Sequence, residues 1–146
     1  MLASELQTYL HDHMPLSQAM QVRVVGVQAD RVVLSAPLGP NINHQETVFG
    51  GSASALAILS AWSLLHTRLQ DAGLHPRLVI QSNTMRYERP MAAAFTASAF
   101  LAQPQDWTVF TRMLARKGKA RITVCAVLDD GTQPAGQFTG EFVALS

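Results

Sequence analysis

The chain has 146 residues, 48% of them hydrophobic and only 14% charged, with a formal net charge of +1. That length suits a single domain over residues 1–146, and the composition excludes a disordered chain. The near-neutral balance argues against nucleic acid as a partner, since that calls for a strongly basic face.

The N-terminus, "MLASELQTYLHDHMPLSQAM", has neither the basic leader nor the continuous apolar core of a signal peptide. Leu2, Leu6, Tyr9 and Leu10 recur at helical spacing, predicting a short amphipathic helix that Pro15 closes. His11 and His13 have the spacing of a metal pair, but no Cys or carboxylate set completes it, so no metal is expected. Val-rich runs at 20–28 and 31–36 flank Ala29-Asp30 and predict a hairpin. Pro37, Gly39 and Pro40 then open a loop.

Residues 52–70 predict the long helix. Gly50 and Gly51 precede it, and Ser52 is the expected cap. Its apolar residues cover every face, so it must be buried. The apolar stretch is too short, and too broken by serines at 52, 54, 60 and 63, to span a membrane. Gly73 ends the segment. Residues 78–89 alternate as a long strand, and 92–103 form another beyond Pro90. Trp107, Phe110 and Leu114 predict a short helix capped by Asp106 and stopped by Gly118. Strands at 121–128 and 137–145 follow, with a turn at 129–131.

The order is that of an α+β fold: a curved antiparallel sheet wrapped around one long central helix. Such a sheet leaves an edge strand and one helix flank uncovered. A second copy would cover both, so a homodimer is expected, or a dimer of dimers. Cys125, the only cysteine, cannot form an internal disulfide; it reads as a small buried hydrophobe in a cytoplasmic protein.

One stretch stands apart: "NHQETVFGGSASALAILSAW", residues 43–62, runs a polar cluster into the most apolar helix. With "RYERP" (Arg86 to Pro90) and "LARKGKAR" (Leu114 to Arg121), it resembles the hotdog-fold thioesterase family typified by the C-terminal domain of YiiD. The resemblance covers nearly the whole chain. It implies hydrolysis of an acyl thioester to the free acid and coenzyme A, with no cofactor beyond the coenzyme A of the substrate.

In the broader acyl-CoA thioesterases of that fold, an Asn precedes a His-Gly-Gly, and an Asp or Glu on the central helix is base or nucleophile. Asn43 matches the Asn, and Gly50 and Gly51 match the glycines. Phe49 stands where the His is usual. The carboxylate position falls near Ile58, and residues 52–70 hold no Asp or Glu. Another residue must then supply the base, or the chain is weakly active, or it binds without turnover.

The chemistry available can be read residue by residue. The first amides of a helix have no partner within it and carry the positive end of its dipole. Glycines let a carbonyl approach them. The Gly51 and Ser52 amides are therefore the expected oxyanion hole, with tight helix packing as the plain alternative. His44 suits a general base near neutral pH, or merely fixes its loop. Asn43 can orient a water or donate to the thioester oxygen, or serve as a turn residue beside Pro40. Glu46 can replace the missing acid or lie exposed, and Thr47 can support Asn43 or His44. Phe49, Ile58 and Tyr87 are expected to line an acyl pocket at a subunit interface, with Asn83 beside Tyr87. Arg116, Lys117 and Lys119 belong to five positive charges within residues 112–121 that can hold coenzyme A phosphates or form a solvated basic turn.

Three functions are compatible with this pattern, beside a purely structural oligomeric domain. The first is an acyl-CoA thioesterase. The second is a non-catalytic binder of acyl-CoA or acyl-carrier protein. The third is a dehydratase or hydratase of the same fold.

Overall fold

The computed structural model describes residues 1–146 throughout. Two short helices, α1 (Ala3–His13) and α2 (Pro15–Ala19), precede a hairpin of β1 (Arg23–Gln28) and β2 (Arg31–Ala36). The long helix α3 (Gly50–Asp71) comes next, then β3 (Arg77–Tyr87), β4 (Phe95–Leu101), α4 (Asp106–Lys117), β5 (Lys119–Asp129) and β6 (Pro134–Leu145). The six strands form one antiparallel sheet in the order β1-β2-β4-β5-β6-β3. The sheet packs around α3, the arrangement expected from the sequence.

Close packing of α3 follows from its small residues. Ala53, Ala57 and Ala61 lie four apart on one row and are buried, as are Ala97 and Ala99 on β4 and Ala126 on β5. Without long side chains between them, helix and sheet approach closely. Leu56, Leu64 and Leu65 fill the space beside this row together with Phe95, Phe138 and Phe142. No helix is long and apolar enough to cross a membrane.

Several local expectations are corrected. Pro15 does not close the N-terminal helical region but opens α2, since its fixed φ suits a first helical position. The central helix starts two residues early, with Phe49 at the N-cap position, so Ser52 lies inside the first turn and caps nothing. Gln105, not Asp106, holds the N-cap position of α4; Asp106 sits in the first turn, where its charge complements the helix dipole. Gly118 does end α4, at φ 70°, and its amide donates to the Leu114 carbonyl.

β3 lies at one edge of the sheet, beyond β6. Its register slips between Ile80 and Ser82, which makes Gln81 the extra residue of a β-bulge. Ile80 opposes Phe142 before the slip; Asn83, Met85 and Tyr87 oppose Gly140, Phe138 and Gly136 after it. Since Phe138 and Phe142 face the core, Asn83 and Tyr87 share the helix-facing side.

Candidate active site

The loop ahead of α3 is stitched by Asn43. Its Oδ1 accepts from the amides of Gln45 (2.8 Å) and Thr47 (3.1 Å), and its Nδ2 donates to Thr47 Oγ1 at 2.8 Å. The Asn43 amide donates to the Thr47 carbonyl at 2.8 Å, and Ile42 bridges to Val48. Glu46 takes the left-handed conformation at the tip, with φ 63°. Asn43 and Thr47 thus spend their polar atoms on the loop. His44 and Glu46 lie exposed on it, and neither side chain is hydrogen-bonded to the rest of the protein.

The loop is fixed to its surroundings. The Phe49 amide donates to the Asn41 carbonyl, and the Val48 amide to the Met91 carbonyl, both at 2.8 Å. Asn41 is buried, and its Nδ2 donates to the carbonyls of Met20 (3.0 Å) and Pro37 (2.8 Å). The helix mouth therefore has a set position.

At that mouth the amide of Ala53 is the first to bond backward, to the Phe49 carbonyl at 3.0 Å. The amides of Gly50, Gly51 and Ser52 have no acceptor within the protein. Tyr87 donates its hydroxyl to the Gly50 carbonyl at 3.1 Å, and its ring lies 3.5 Å from where a Gly50 Cβ would be. A Cβ on Gly51 would come within 2.4 Å of the Phe49 ring. That ring is 56% exposed and is free to swing aside.

Two cavities flank this end of α3. One, of about 400 Å³, reaches from Thr47, Gly50 and Ala53 across to Tyr87, Arg89 and Met91. Its floor is braced by Arg89, which donates to both oxygens of Asp130 (2.9 and 2.7 Å), to Thr132 Oγ1 and to the carbonyls of Gln133 and Pro134. The Arg89 guanidinium, followed by the Thr132 hydroxyl, holds the Asp130 carboxyl well below the usual carboxylate range. The other cavity, of about 350 Å³, is almost wholly apolar. Met14, Leu16 and Met20 of the α1–α2 elbow face Ala55, Ile58 and Trp62 of α3 across it.

The two features share one helical stripe. Gly51, Ala55, Ile58 and Trp62 follow one another at spacings of three or four residues, so free amides head the same face that lines the apolar cavity. Ile58 lines this cavity. Phe49 and Tyr87 do not; they flank the glycines instead. Trp62 and Met20 were not anticipated as lining residues, although Trp62 lies four residues after Ile58.

Arg116, Lys117 and Lys119 are exposed at the opposite end of the sheet. Lys119 and Arg77 both oppose Leu145, whereas Tyr87 and Leu128 both oppose Gly136. Ten strand residues, roughly 33 Å, separate the two ends. Within one chain the basic cluster does not reach the helix mouth. Glu88 borders the mouth, but its carboxylate lies 3.4 and 3.5 Å from Gln137 Nε2, on the face of the sheet away from α3.

A family model described as "Putative thioesterase (yiiD_Cterm)" matches residues 3–146. The chain belongs to this family. It is also similar to solved structures of this hotdog fold. A protein of unknown function from Chlorobaculum tepidum TLS is 28% identical, with 99% of this chain and 94% of that one covered and a TM-score of 0.91. A "putative thioesterase" from Shewanella oneidensis is 24% identical, with 99% and 97% covered and a TM-score of 0.85. A Pseudomonas aeruginosa protein described as a "Probable Thioesterase" is 21% identical, with 99% and 97% covered and a TM-score of 0.82.

Proposed function

We propose that this YiiD-type protein hydrolyses acyl-CoA thioesters to the free acid and coenzyme A. One observation carries the reading: the unpartnered amides of Gly51 and Ser52 stand at the head of the stripe that walls the apolar cavity. A thioester needs donors at its carbonyl oxygen and an apolar place for its acyl chain. With the oxygen on the amides, the chain runs past Ala55 toward Ile58 and Trp62. A single oxyanion donor is worth roughly 3 to 4 kcal/mol in the transition state. His44 takes the proton of the attacking water, and the Asn43–Thr47 hydrogen bonds hold its loop in place. No cofactor is needed beyond the substrate's own coenzyme A.

The working unit is a dimer. β3 is an 11-residue edge strand with no strand on its outer side, where the Leu78 carbonyl accepts from Trp62 Nε1, and Val79 on it is 50% exposed. Two copies pairing antiparallel along β3 would set the start of one strand beside the end of the other. That brings the basic cluster of one copy toward the helix mouth of its mate, where coenzyme A phosphates would lie.

A second reading is favoured by the absence of any carboxylate on α3 before its last residue, Asp71: the site binds acyl-CoA, or an acyl-carrier protein, without turning it over. Thiol release over an acyl-CoA panel from acetyl to palmitoyl, with an aromatic thioester added, separates the two. Turnover by the wild type that falls at least tenfold in His44→Ala supports hydrolysis at this site. Calorimetric binding without thiol release would establish the second reading, and equal turnover by both proteins would remove His44 from the mechanism.

A further inference from the structure

Tyr87 is the last residue of β3, and its backbone is held on both sides. It opposes Gly136 of β6. A Cβ on Gly136 would come within 2.9 Å of the Arg86 carbonyl, so the two strands meet more closely than a side chain there would allow. Directly after Tyr87, the amides of Glu88 and Arg89 both donate to the Ala135 carbonyl, at 2.9 and 3.2 Å. Arg89 is clamped in turn by both oxygens of Asp130. The strand end is therefore fixed, and it carries the phenol to the head of α3.

The Tyr87 hydroxyl donates to the Gly50 carbonyl at 3.1 Å, and the nearest ring carbons lie 3.5 and 3.6 Å from where a Gly50 Cβ would be. A carbonyl oxygen has two lone pairs, so this bond adds to the one that a first-turn carbonyl accepts along its helix. The Gly50 carbonyl and the Gly51 amide are the two ends of one peptide group. That group is conjugated, so charge drawn to its oxygen makes its N–H more positive. Hydrogen bonds joined in such a chain strengthen one another. The Gly51 amide has no acceptor within the protein. Both partners of the Tyr87 bond belong to one chain, so it does not depend on a second copy.

We propose that Tyr87 is a positioning residue for the thioester carbonyl: its hydroxyl orients the Gly50–Gly51 peptide and strengthens the Gly51 amide as an oxyanion donor. The inference rests on the thioesterase reading and gives a part to a residue that touches no reacting atom. The relay runs from the phenol O–H through the Gly50 carbonyl and the Gly51 N–H to the substrate oxygen. Charge on that oxygen grows toward the transition state, so the added polarity counts more there than in the bound substrate. Loss of the hydroxyl should lower kcat and leave KM nearly unchanged, whereas loss of a contact that only held the substrate would raise KM.

The test is Tyr87→Phe, which keeps the ring against Gly50 and removes only the donor. Tyr87 is exposed, so little packing is at stake. An amide nitrogen resonance moves when a hydrogen bond is lost at the carbonyl of its own peptide group. The Gly51 signal should therefore shift upfield in the variant, while that of Ser52 stays in place. With acyl-CoA substrates kcat should fall about fivefold, the scale of one net hydrogen bond. Tyr87→p-aminophenylalanine, which restores a donor, should recover both. An unmoved Gly51 signal, an unchanged kcat, or a loss carried by KM alone would each overturn the proposal. A wild type that binds acyl-CoA without turnover would sink the hydrolysis reading alone. The relay would then be upheld by a shifted Gly51 signal with acyl-CoA bound about threefold more weakly by Tyr87→Phe, and overturned by equal binding. Absence of both binding and turnover in the wild type would remove both.

Discussion

Gly51 has two reasons to be a glycine, and they can be separated. Its amide is unpaired, and the Phe49 ring occupies the place of a Cβ. In Gly51→Ala the methyl group and the ring compete for one space beside the amides. The exposed ring must swing over the amides to make room, so kcat/KM should fall, but by less than the roughly 100-fold of one lost oxyanion donor, because the amide itself remains. Phe49→Ala in the same chain should restore much of it by clearing the ring. If the double variant is no better than Gly51→Ala, the ring is not the obstacle. Asn43→Ala removes three side-chain hydrogen bonds of a partly exposed loop and should cost about 1 to 2 kcal/mol of stability in denaturant unfolding. An unchanged midpoint would show that the loop holds without them.

At the scale of elements, the central helix was legible because its composition left no polar face, and the glycines marked its start. Its exact beginning was not, because Ser52 satisfied a local capping rule, while tertiary bonds from Asn41 and Met91 fixed the chain two residues earlier. The face of β3 was readable by parity only because the bulge at Gln81 lies before Asn83. The apolar cavity was half legible: Ile58 belongs to the helical stripe, but its opposite wall comes from the α1–α2 elbow, whose second helix was hidden behind Pro15. The stack of Tyr9, Trp62 and His66 joins α1 to α3 through residues far apart in sequence, which no local pattern reveals.

That stack makes a prediction about pH. Burial, then the charges of His75 and His13, lowers the pKa of His66 below its ordinary 6.5. The unfolded chain therefore takes up a proton at a higher pH than the folded one. This contribution is fully present above about 6.5 and is lost as the pH falls below it. The drop in Tm between pH 7.5 and 5.5 should be smaller in His66→Phe than in the wild type. An equal drop in both would assign the acid sensitivity to other groups.

At the scale of the whole molecule, the proposed dimer rests on the edge strand. The sequence pattern implied an uncovered edge strand, and the sheet order places β3 where a second copy can add to it. The basic cluster was visible in the sequence, but its distance from the helix mouth was not, since that depends on which way each strand runs. Sedimentation of the wild type is expected to give a dimer. Val79→Lys, which places a charge on the exposed edge, should shift it toward monomer and reduce turnover with it. A monomeric wild type with full activity would remove the second copy from the site.

The central claim is that a thioester lies along one stripe of α3, carbonyl at Gly51 and acyl chain toward Trp62. The direct test is the acyl-chain profile of kcat/KM for wild type and Ile58→Phe. The larger side chain fills the cavity about two turns below the Gly51 amide. The preferred chain should become shorter, with short acyl-CoA substrates nearly unaffected. A profile that keeps its maximum at the same chain length would mean that the acyl group lies elsewhere.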